Sequence, residues 1–252
     1  MPRIALLIPN ADQQDDILVW RGIHETYQKL FAARGIELVP IPWKDGASAT
    51  NVDAVLPLLA WGYHTDVVTW RSMLATLSAK LPIFNNAAVL LWNTRKSYLE
   101  TLRAAGVDVV PTIFADRVTP DVLRAAFDRF RVNDLVVKPA VSGGGYRTYR
   151  VTPNDTAPDL DDAMVQPFLP AIVEEGELSL IFIGGELSHA VRKVPARGDF
   201  RVQLAYGGTY TAFEPSNEAI ETSRRALRAA PGDVVYARVD LVRLPDGKLA
   251  VM

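Results

Sequence analysis

The sequence predicts an α/β protein with separate lobes, and three observations support this fold class. Apolar strands alternate with amphipathic helices over residues 1–85, which is typical of a small parallel sheet with helices on its faces. A hairpin with a run of glycines follows at residues 135–151. With 252 residues, the chain also exceeds the usual size of one domain. We expect an N-terminal α/β domain over residues 1–86 and two further parts over residues 87–165 and 166–252.

The composition excludes several classes of function. The 27 basic and 29 acidic residues give a net charge of −2, so we expect neither a nucleic acid nor a membrane as partner. The absence of cysteine removes disulfides, thiolate metal sites and cysteine nucleophiles. The apolar segment 4–8 is too short for a signal peptide, and we expect a cytoplasmic protein. Because the chain ends on apolar residues inside a predicted strand, we also expect a truncated C-terminus.

The N-terminal elements are predicted from the spacing of their apolar residues. A helix over residues 17–34 carries them on one face and ends at Gly35. The ligand crevice of a parallel sheet lies beyond the carboxyl ends of its strands, where the loops 9–16 and 61–66 fall. The other elements expected here are strands over residues 4–8, 36–41 and 53–60, a helix over residues 66–81 and a short strand at residues 83–85.

Both loops allow a structural explanation beside a functional one. The acidic cluster of Asp12, Asp15 and Asp16 either contacts a ligand or caps the helix that follows. His64 is either a site residue or a structural hydrogen-bonding group among aromatic neighbours.

The remaining elements are predicted in the same way. Residues 87–105 form a helix that carries Arg95 and Lys96, a pair that by itself favours a solvated face. Thr119, followed by proline and aspartate, begins a helix in the preferred order of cap, proline and acid. We further expect strands over residues 109–115, 164–170, 178–183, 187–194, 234–242 and 248–252, and a helix over residues 218–230.

The stretch LVVKPAVSGGGYRTYRV, residues 135–151, carries the strongest functional signal. A hairpin turns on two residues with positive φ, so three consecutive glycines indicate backbone N–H groups that approach an anion such as a phosphate. A mobile hairpin tip is the alternative. Lys138 favours the anion site, because a charge after three apolar residues is costly to bury without a partner. Asp240, between Val239 and Leu241, needs a cation or hydrogen-bond donors for the same reason.

Familiar nucleotide motifs do not account for this stretch. The sequence has no GxxxxGK[ST], its three glycines lie between strands rather than before a helix, and no HRD or DFG follows. The loop at residues 197–210 places arginines and glycines around a short apolar segment, and it has little reason to be ordered except through a ligand.

Five segments, taken as a set, resemble the ATP-grasp superfamily: WNTRKSYL, VVKPAVSGGGYRTYRV, VQPFLPAIVEEGELSLIFIGGELSHAVRKVP, GDFRVQLAYGG and YARVDLV. Within it, the chain is similar to the glutathione synthetase and RimK-like branch and to the cyclo-ligases of cycloserine biosynthesis. The resemblance begins near Trp92 and implies an ATP-grasp fold behind an N-terminal parallel-sheet domain. Residues 87–165 would be the central and lid part, and residues 166–252 the C-terminal part.

The resemblance also implies a nucleotide site. Two lysines would contact the ATP phosphates under a glycine loop, a proline-broken strand would line the adenine site, and a carboxylate would bind the ribose. These residues are, in that order, Lys96 and Lys138; Ser142, Gly143, Gly144 and Gly145; Gln166, Phe168 and Leu169; and Glu177.

Catalytic and metal-binding roles follow from the same resemblance. Arg192 and Arg201 would be catalytic and face the transferred phosphoryl group, and Asp240 would bind magnesium. The family pattern continues with a Glu-x-Glu or Glu-x-Asn pair that completes the metal site, which would lie after Met252.

The implied function is an ATP- and magnesium-dependent ligase that joins a carboxylate to an amine, or closes a ring, through an acyl phosphate. Its partners would be small, amino-acid-like carboxylate and amine substrates, bound among residues 9–16, residues 61–66 and the 197–210 loop. A homo-oligomer is compatible with the resemblance. Two alternatives stay open: an ATP-dependent phosphotransferase on the same fold, and a nucleotide-binding module without catalysis. A purely structural α/β protein would leave Lys138, Arg192 and Asp240 without a common explanation.

Overall fold

The computed structural model describes residues 1–13 and 19–252, which form two compact units. The first contains Met1–Thr94 and Pro231–Val234, and the second contains Arg95–Ala230 and Val235–Met252. Asp15 and Asp16 of the acidic cluster, and the first residues of the helix expected over 17–34, lie outside the described residues. The division of residues 87–252 into two parts stays a prediction.

A three-stranded parallel sheet forms the centre of the first unit, which confirms the expected N-terminal architecture. Side chains of its central strand alternate between two cores: Ala5 and Leu7 pack in the core that contains Trp70, whereas Leu6 and Ile8 pack with Trp20. Helices therefore cover both faces of the sheet. The elements are β1 (Arg3–Ile8), β2 (Glu37–Pro42) and β3 (Ala54–Leu56), in the order β2-β1-β3, with α1 (Val19–Ala32), α2 (Val67–Ser78) and α3 (Ala87–Thr94).

Two of the strands expected in this unit are shorter than predicted. The strand expected over residues 53–60 ends at Leu56, because Pro57 has no N–H group to donate to a neighbouring strand. The strand expected at residues 83–85 is reduced to a single bridge between Ile83 and Val55. Asp66 caps α2 by accepting a hydrogen bond from Thr69 N at 3.2 Å.

The single helix expected over residues 87–105 is wrong, because the chain leaves the helix at Arg95. A separate helix, α4 (Tyr98–Ala104), begins after the break. In the break, Lys96 N donates to the Ala140 carbonyl at 2.8 Å instead of to a carbonyl of the helix. This contact holds Lys96 beside the beginning of the glycine loop, rather than on the solvated helix face that the sequence favoured.

Two antiparallel sheets form most of the second unit. The first has the order β4-β7-β5-β6, with β4 (Ile113–Arg117), β5 (Leu135–Pro139), β6 (Tyr149–Val151) and β7 (Asp161–Pro167). The second has the order β10-β9-β8-β11-β12, with β8 (Glu177–Ile183), β9 (Glu186–Val194), β10 (Thr209–Ala212), β11 (Tyr236–Arg243) and β12 (Leu249–Val251). The remaining helices are α5 (Pro120–Phe130), α6 (Ala171–Glu174) and α7 (Asn217–Arg228).

The glycine hairpin forms as predicted, with Leu135 opposite Val151 and Val137 opposite Tyr149. Thr119 caps α5 by accepting a hydrogen bond from Val122 N at 3.3 Å, also as predicted. The strand expected over residues 109–115 is displaced to β4, because Pro111 interrupts the strand hydrogen bonds after Val110. Over the described part of the chain, no helix combines the length and the apolar character that crossing a membrane would require.

Candidate functional site

One face of the five-stranded sheet carries a cluster of charged side chains. Glu177 on β8 lies opposite Lys193 on β9, and Lys193 Nζ is 2.6 Å from Glu177 Oε1. Both side chains are at most 7% exposed. Asp240 on β11 lies opposite Ser179, and Lys193 Nζ also reaches Asp240 Oδ1 at 3.4 Å. Because paired residues on antiparallel strands point to the same face, the sheet brings these groups together.

Besides the longer contact with Lys193, Asp240 accepts hydrogen bonds from three donor atoms, two on Arg238 and one on Ser179. Arg238 lies two residues earlier on the same face of β11, and its Nε and Nη2 are each 2.8 Å from a different oxygen of Asp240. Ser179 Oγ donates to Asp240 Oδ1. Burial by itself would raise the pKa of Asp240, but the charges of Arg238 and Lys193 outweigh it and hold this pKa well below its usual range. Asp240 therefore stays ionised at neutral pH.

Glu177 responds differently to the same surroundings. Burial and the neighbouring charge of Asp240 raise the pKa of Glu177, whereas the close ion pair with Lys193 opposes the rise. Two carboxylates thus share one lysine on a buried sheet face. Such a cluster is costly to bury unless its partners are in place, and perturbed groups of this kind concentrate at functional sites.

Lys138, on β5 of the four-stranded sheet, is half-buried within electrostatic reach of this cluster. Burial lowers the pKa of Lys138, and the charges of Glu177 and Asp240 oppose the shift. The ammonium group of Lys138 makes no hydrogen bond or ion pair with any residue of the described ranges 1–13 and 19–252. A half-buried ammonium group without a partner is the feature of this site that most directly indicates an anionic ligand.

Lys96 stands beside Lys138 and contacts the glycine loop, which we define as residues 141–148. Its Nζ donates to the Ser142 carbonyl at 3.0 Å. Burial, followed by the nearby charge of Lys138, lowers the pKa of Lys96 to about 8, although Asp240 opposes the shift. The sequence placed the two lysines on separate elements, and the structure brings them together.

The glycine loop exposes its backbone donors. Gly144 and Gly145 have φ of +62° and +79°, a conformation that glycine adopts without strain. Tyr146 N donates to the Gly143 carbonyl and Thr148 N to the Gly145 carbonyl, which closes the turn. For the N–H groups of Gly143, Gly144 and Gly145 themselves, the described residues supply no acceptor. Free N–H groups on three consecutive residues, in a loop that Lys96 contacts, are suited to phosphate oxygens.

The three residues assigned to the adenine site lie on and after β7. The Gln166 side chain is buried and donates to Thr112 Oγ1 at 2.9 Å. The Phe168 ring contacts the Arg150 guanidinium, whose central carbon is 3.8 Å from the ring centroid. Leu169 is buried in an apolar cluster with Val242 of the five-stranded sheet. This segment therefore packs apolar side chains against the five-stranded sheet, and its role toward adenine stays a prediction.

Arg192 and Arg201, the two residues predicted to be catalytic, do not contact the charged cluster in the part of the chain that the structure describes. Arg192 is exposed and lies opposite Leu178 and Thr211, on the other face of the sheet from its neighbour Lys193. Arg201 is bound instead by Asp199, with Arg201 Nη2 at 2.7 Å from Asp199 Oδ2. The catalytic roles of both arginines stay predictions.

The sequence interpretation missed Lys193 and Arg238, which the structure places in the cluster. The signal was available, because side chains alternate along a strand. Lys193 must face away from Arg192, and Arg238 must share a face with Asp240, which is two residues further along β11. The pairing of Lys193 with Glu177 could not be read from the sequence, since it depends on the register of β8 and β9.

Magnesium is the metal that the resemblance implies, and Asp240 is the residue assigned to it. Within the described residues, no group of three or more histidine, cysteine, aspartate or glutamate side chains forms a metal cluster. Mg²⁺ is often bound by one or two carboxylates together with phosphate oxygens and water, so Asp240 fits such a partial set. Both Asp240 oxygens accept hydrogen bonds from Arg238. Arg238 would have to release one of these oxygens before Asp240 could bind magnesium.

Comparisons with known proteins identify both units. Residues 121–229 match the family model described as "Prokaryotic glutathione synthetase, ATP-grasp domain", and residues 5–85 match the one described as "D-cycloserine synthetase DcsG, N-terminal domain". A glutathione synthetase of Prochlorococcus marinus (strain MIT 9313) is 35% identical over 134 residues, which are 48% of this chain and 40% of that protein. The chain thus matches about two fifths of the length of this curated relative.

Solved structures agree in fold. The crystal structure of D-cycloserine synthetase DcsG superposes with a TM-score of 0.81 at 21% identity, covering 99% of this chain and 90% of the other. The crystal structure of D-alanine–D-alanine ligase from Bacillus anthracis complexed with ATP gives a TM-score of 0.71 at 19% identity, covering 100% and 85%. The ATP-grasp fold expected from the sequence is therefore confirmed, and residues 121–229 match an ATP-grasp domain of the prokaryotic glutathione synthetase type.

Proposed function

We propose that this protein is an ATP- and magnesium-dependent ligase that joins a carboxylate to an amine through an acyl-phosphate intermediate. The observation that carries the proposal is Lys138, a half-buried cation with no partner among the described residues, placed beside Lys96 and the free N–H groups of the glycine loop. Free backbone N–H groups beside an ammonium group that has no hydrogen-bond acceptor are suited to a polyphosphate. The family model over residues 121–229 supports ATP as that ligand.

The nucleotide would lie between the two sheets of the second unit. Lys96 and Lys138 would bind its phosphates, with the glycine loop covering them from Ser142 to Gly145. The segment from Gln166 to Leu169 would hold the adenine, and Glu177 would accept hydrogen bonds from the ribose. Lys193 supports this role of Glu177, because the pair keeps the carboxylate charged and fixed in position.

In the reaction, a substrate carboxylate would attack the γ-phosphate of ATP, and an amine would then displace phosphate from the acyl phosphate. Bound magnesium would supply charge neutralisation at the phosphate oxygens. The chain's own contribution is positioning and fixed positive charge from its lysines, and from Arg201 and Arg192 as the sequence predicts. Arg238 is a further candidate, because a phosphate could compete with Asp240 for its guanidinium group.

The substrates are proposed to be small and amino-acid-like. The names of the relatives, a glutathione synthetase and a D-alanine–D-alanine ligase, support this class. The resemblance to D-cycloserine synthetase DcsG supports an intramolecular, ring-closing variant of the same chemistry. A cytoplasmic location and a homo-oligomer stay expectations from the sequence.

One observation favours a second candidate, a nucleotide-binding module without catalysis. Both oxygens of Asp240 are engaged by Arg238, and Asp240 and Glu177 are the two carboxylates of the described cluster. A site that binds nucleotide but holds magnesium weakly would bind ATP and turn it over slowly. A phosphotransferase on the same fold is the third possibility, and it differs from the ligase in its product.

A phosphate-release assay distinguishes the ligase, the phosphotransferase and the nucleotide-binding module. The protein is incubated with magnesium and ATP against a panel of amino acids and small carboxylic acids, singly and in pairs. A ligase releases phosphate only when a carboxylate and an amine are both present, whether in one molecule or in two. A phosphotransferase forms a stable phosphorylated product from one substrate, and a binding module releases none. Absence of release with every pair, together with tight ATP binding, would contradict the ligase proposal.

A further inference from the structure

Two loops of the second unit meet at Gly145. One is the glycine loop, and the other, which we call the arginine loop, comprises residues 197–208. A methyl group at Gly145 would lie 2.8 Å from Tyr206 Cε2 and 2.9 Å from Gln203 Oε1, both closer than side-chain carbons normally approach. A methyl group at the neighbouring Gly144 would meet no atom within 4 Å. Gly145 is therefore a point of close contact between the loops, whereas Gly144 faces open space.

Tyr206 contacts Arg201 with the face of its ring. The central carbon of the Arg201 guanidinium is 3.6 Å from the Tyr206 ring centroid, a distance typical of a cation–π stack. Asp199 fixes the same guanidinium from another direction, with Arg201 Nε at 3.1 Å from Asp199 Oδ1 and Nη2 at 2.7 Å from Oδ2. These hydrogen bonds lower the pKa of Asp199 to about 2, so the pair stays charged at neutral pH.

Val202 and the partly buried Phe200 anchor the start of the arginine loop in the apolar cluster that contains Leu169, whereas the rest of the loop is held by polar and ring contacts. Val202 is buried, but Leu204 is 61% exposed and Tyr206 is half-buried. The Gln203 carbonyl accepts hydrogen bonds from Tyr206 N and Gly208 N, which fold the loop into a short helical turn. The Gln203 side-chain oxygen is buried, and it has no donor among the described residues. A buried acceptor without a donor is costly, and this oxygen lies against the glycine loop, 2.9 Å from the place of a methyl group at Gly145.

We propose that Tyr206 is a positioning residue that joins the glycine loop to Arg201. Its ring face stacks on the arginine and its ring edge packs against Gly145, so the closure of the glycine loop on phosphates orients the Arg201 guanidinium. This inference rests on the proposed function, because it takes the glycine loop as the phosphate-covering loop and Arg201 as the residue that faces the transferred group. It adds a residue of the arginine loop to which the sequence assigned no role.

Cleavage of the glycine loop by trypsin tests the contact without any ligand. Arg147 is exposed inside this loop, so the rate of cleavage after Arg147, followed by mass spectrometry, reports how often the loop opens. Tyr206→Ala is expected to raise this rate about tenfold, because it removes both the stack and the packing against Gly145. Tyr206→Phe keeps the ring and should restore the wild-type rate. Leu204→Ala, in the same turn, is the matched control and should leave the rate unchanged.

Two glycine variants keep the test decisive if Tyr206→Ala does not fold. Gly144→Ala and Gly145→Ala both place alanine at positive φ and carry a similar backbone cost. Only Gly145→Ala also collides with Tyr206 and Gln203, so its loop should be cleaved several-fold faster than that of Gly144→Ala. Equal rates in this pair, or equal rates in Tyr206→Ala and the wild type, would overturn the inference.

The same cleavage assay with a bound nucleotide analogue distinguishes a failure of this inference from a failure of the proposed function. Magnesium and a non-hydrolysable ATP analogue should protect the wild-type glycine loop from cleavage. A wild type that the analogue neither binds nor protects counts against the proposed function, while the ligand-free comparison still decides the role of Tyr206. In phosphate release, Tyr206→Ala should lower kcat about tenfold with the KM for ATP changed less than about twofold, and Tyr206→Phe should recover kcat. A parallel rise in KM with unchanged kcat would contradict a positioning role.

Discussion

If Lys96 binds the nucleotide phosphates as proposed, its lowered pKa should make nucleotide binding pH dependent. Burial and the charge of Lys138 lower this pKa to about 8, far below the usual value for lysine. Only the charged ammonium group attracts phosphate, so a protein molecule with neutral Lys96 must take up a proton to bind with full affinity. Affinity should therefore be close to its full value at pH 7 and fall as the pH rises through about 8.

The size of the effect follows from the fraction of charged Lys96. With a pKa of about 8, Lys96 is about 90% charged at pH 7 and about 10% charged at pH 9. The affinity for a magnesium–nucleotide analogue should then fall at least about tenfold between these pH values, with net uptake of about one proton at pH 9. Lys138, whose pKa is also lowered by burial, makes the fall steeper if it titrates in the same range.

Isothermal titration at pH 7, 8 and 9, in two buffers of different ionisation enthalpy, measures both the affinity and the proton uptake. Lys96→Arg is the matched variant, because arginine keeps its charge over this range. Between pH 7 and pH 9, the affinity of this variant should fall about tenfold less than that of the wild type. Lys96→Met should bind weakly at every pH. A wild-type affinity that stays constant from pH 7 to 9, or an equally steep fall in Lys96→Arg, would refute the reasoning.

Two further predictions concern stability. Lys193→Met leaves the buried Glu177 without its 2.6 Å partner and should lower the free energy of unfolding by about 3–5 kcal/mol in urea titrations, whereas the double variant with Glu177→Gln should recover most of this loss. An equal loss in both variants would show that the ion pair is not the cause. Thr119→Ala removes the α5 cap and should cost about 1 kcal/mol, while Thr76→Ala, an exposed position inside α2, should cost nothing measurable.

Local signals explain which elements the sequence could predict. The cap, proline and acid at Thr119 placed the start of α5 correctly, because all three act within one helical turn. The break at Lys96 could not be read locally, since it depends on a hydrogen bond to Ala140 that lies 44 positions away in the chain. Pro57 and Pro111, by contrast, were visible in the sequence, and both mark places where the expected strands are shortened or displaced.

The same distinction between local sequence signals and contacts of distant residues applies to the candidate site. Lys138 could be predicted because a charge directly after an apolar strand needs a reason to be there, and Asp240 for the same reason. The pairing of Lys193 with Glu177 depends on strand register, and the contact of Tyr206 with Gly145 joins residues 61 positions apart. Contacts of this kind arise only when the chain is folded, so neither composition nor periodicity contains them.

Binding of a magnesium–ATP analogue to the wild type and to Lys138→Ala, measured by titration calorimetry, tests the central claim most directly. Lys248→Ala, which removes a 60% exposed lysine of the same unit, is the control for loss of one positive charge. We predict that Lys138→Ala keeps its fold by circular dichroism and loses about 10- to 100-fold in affinity, while Lys248→Ala binds like the wild type. Equal affinity of Lys138→Ala and the wild type would contradict the assignment of this site to ATP phosphates.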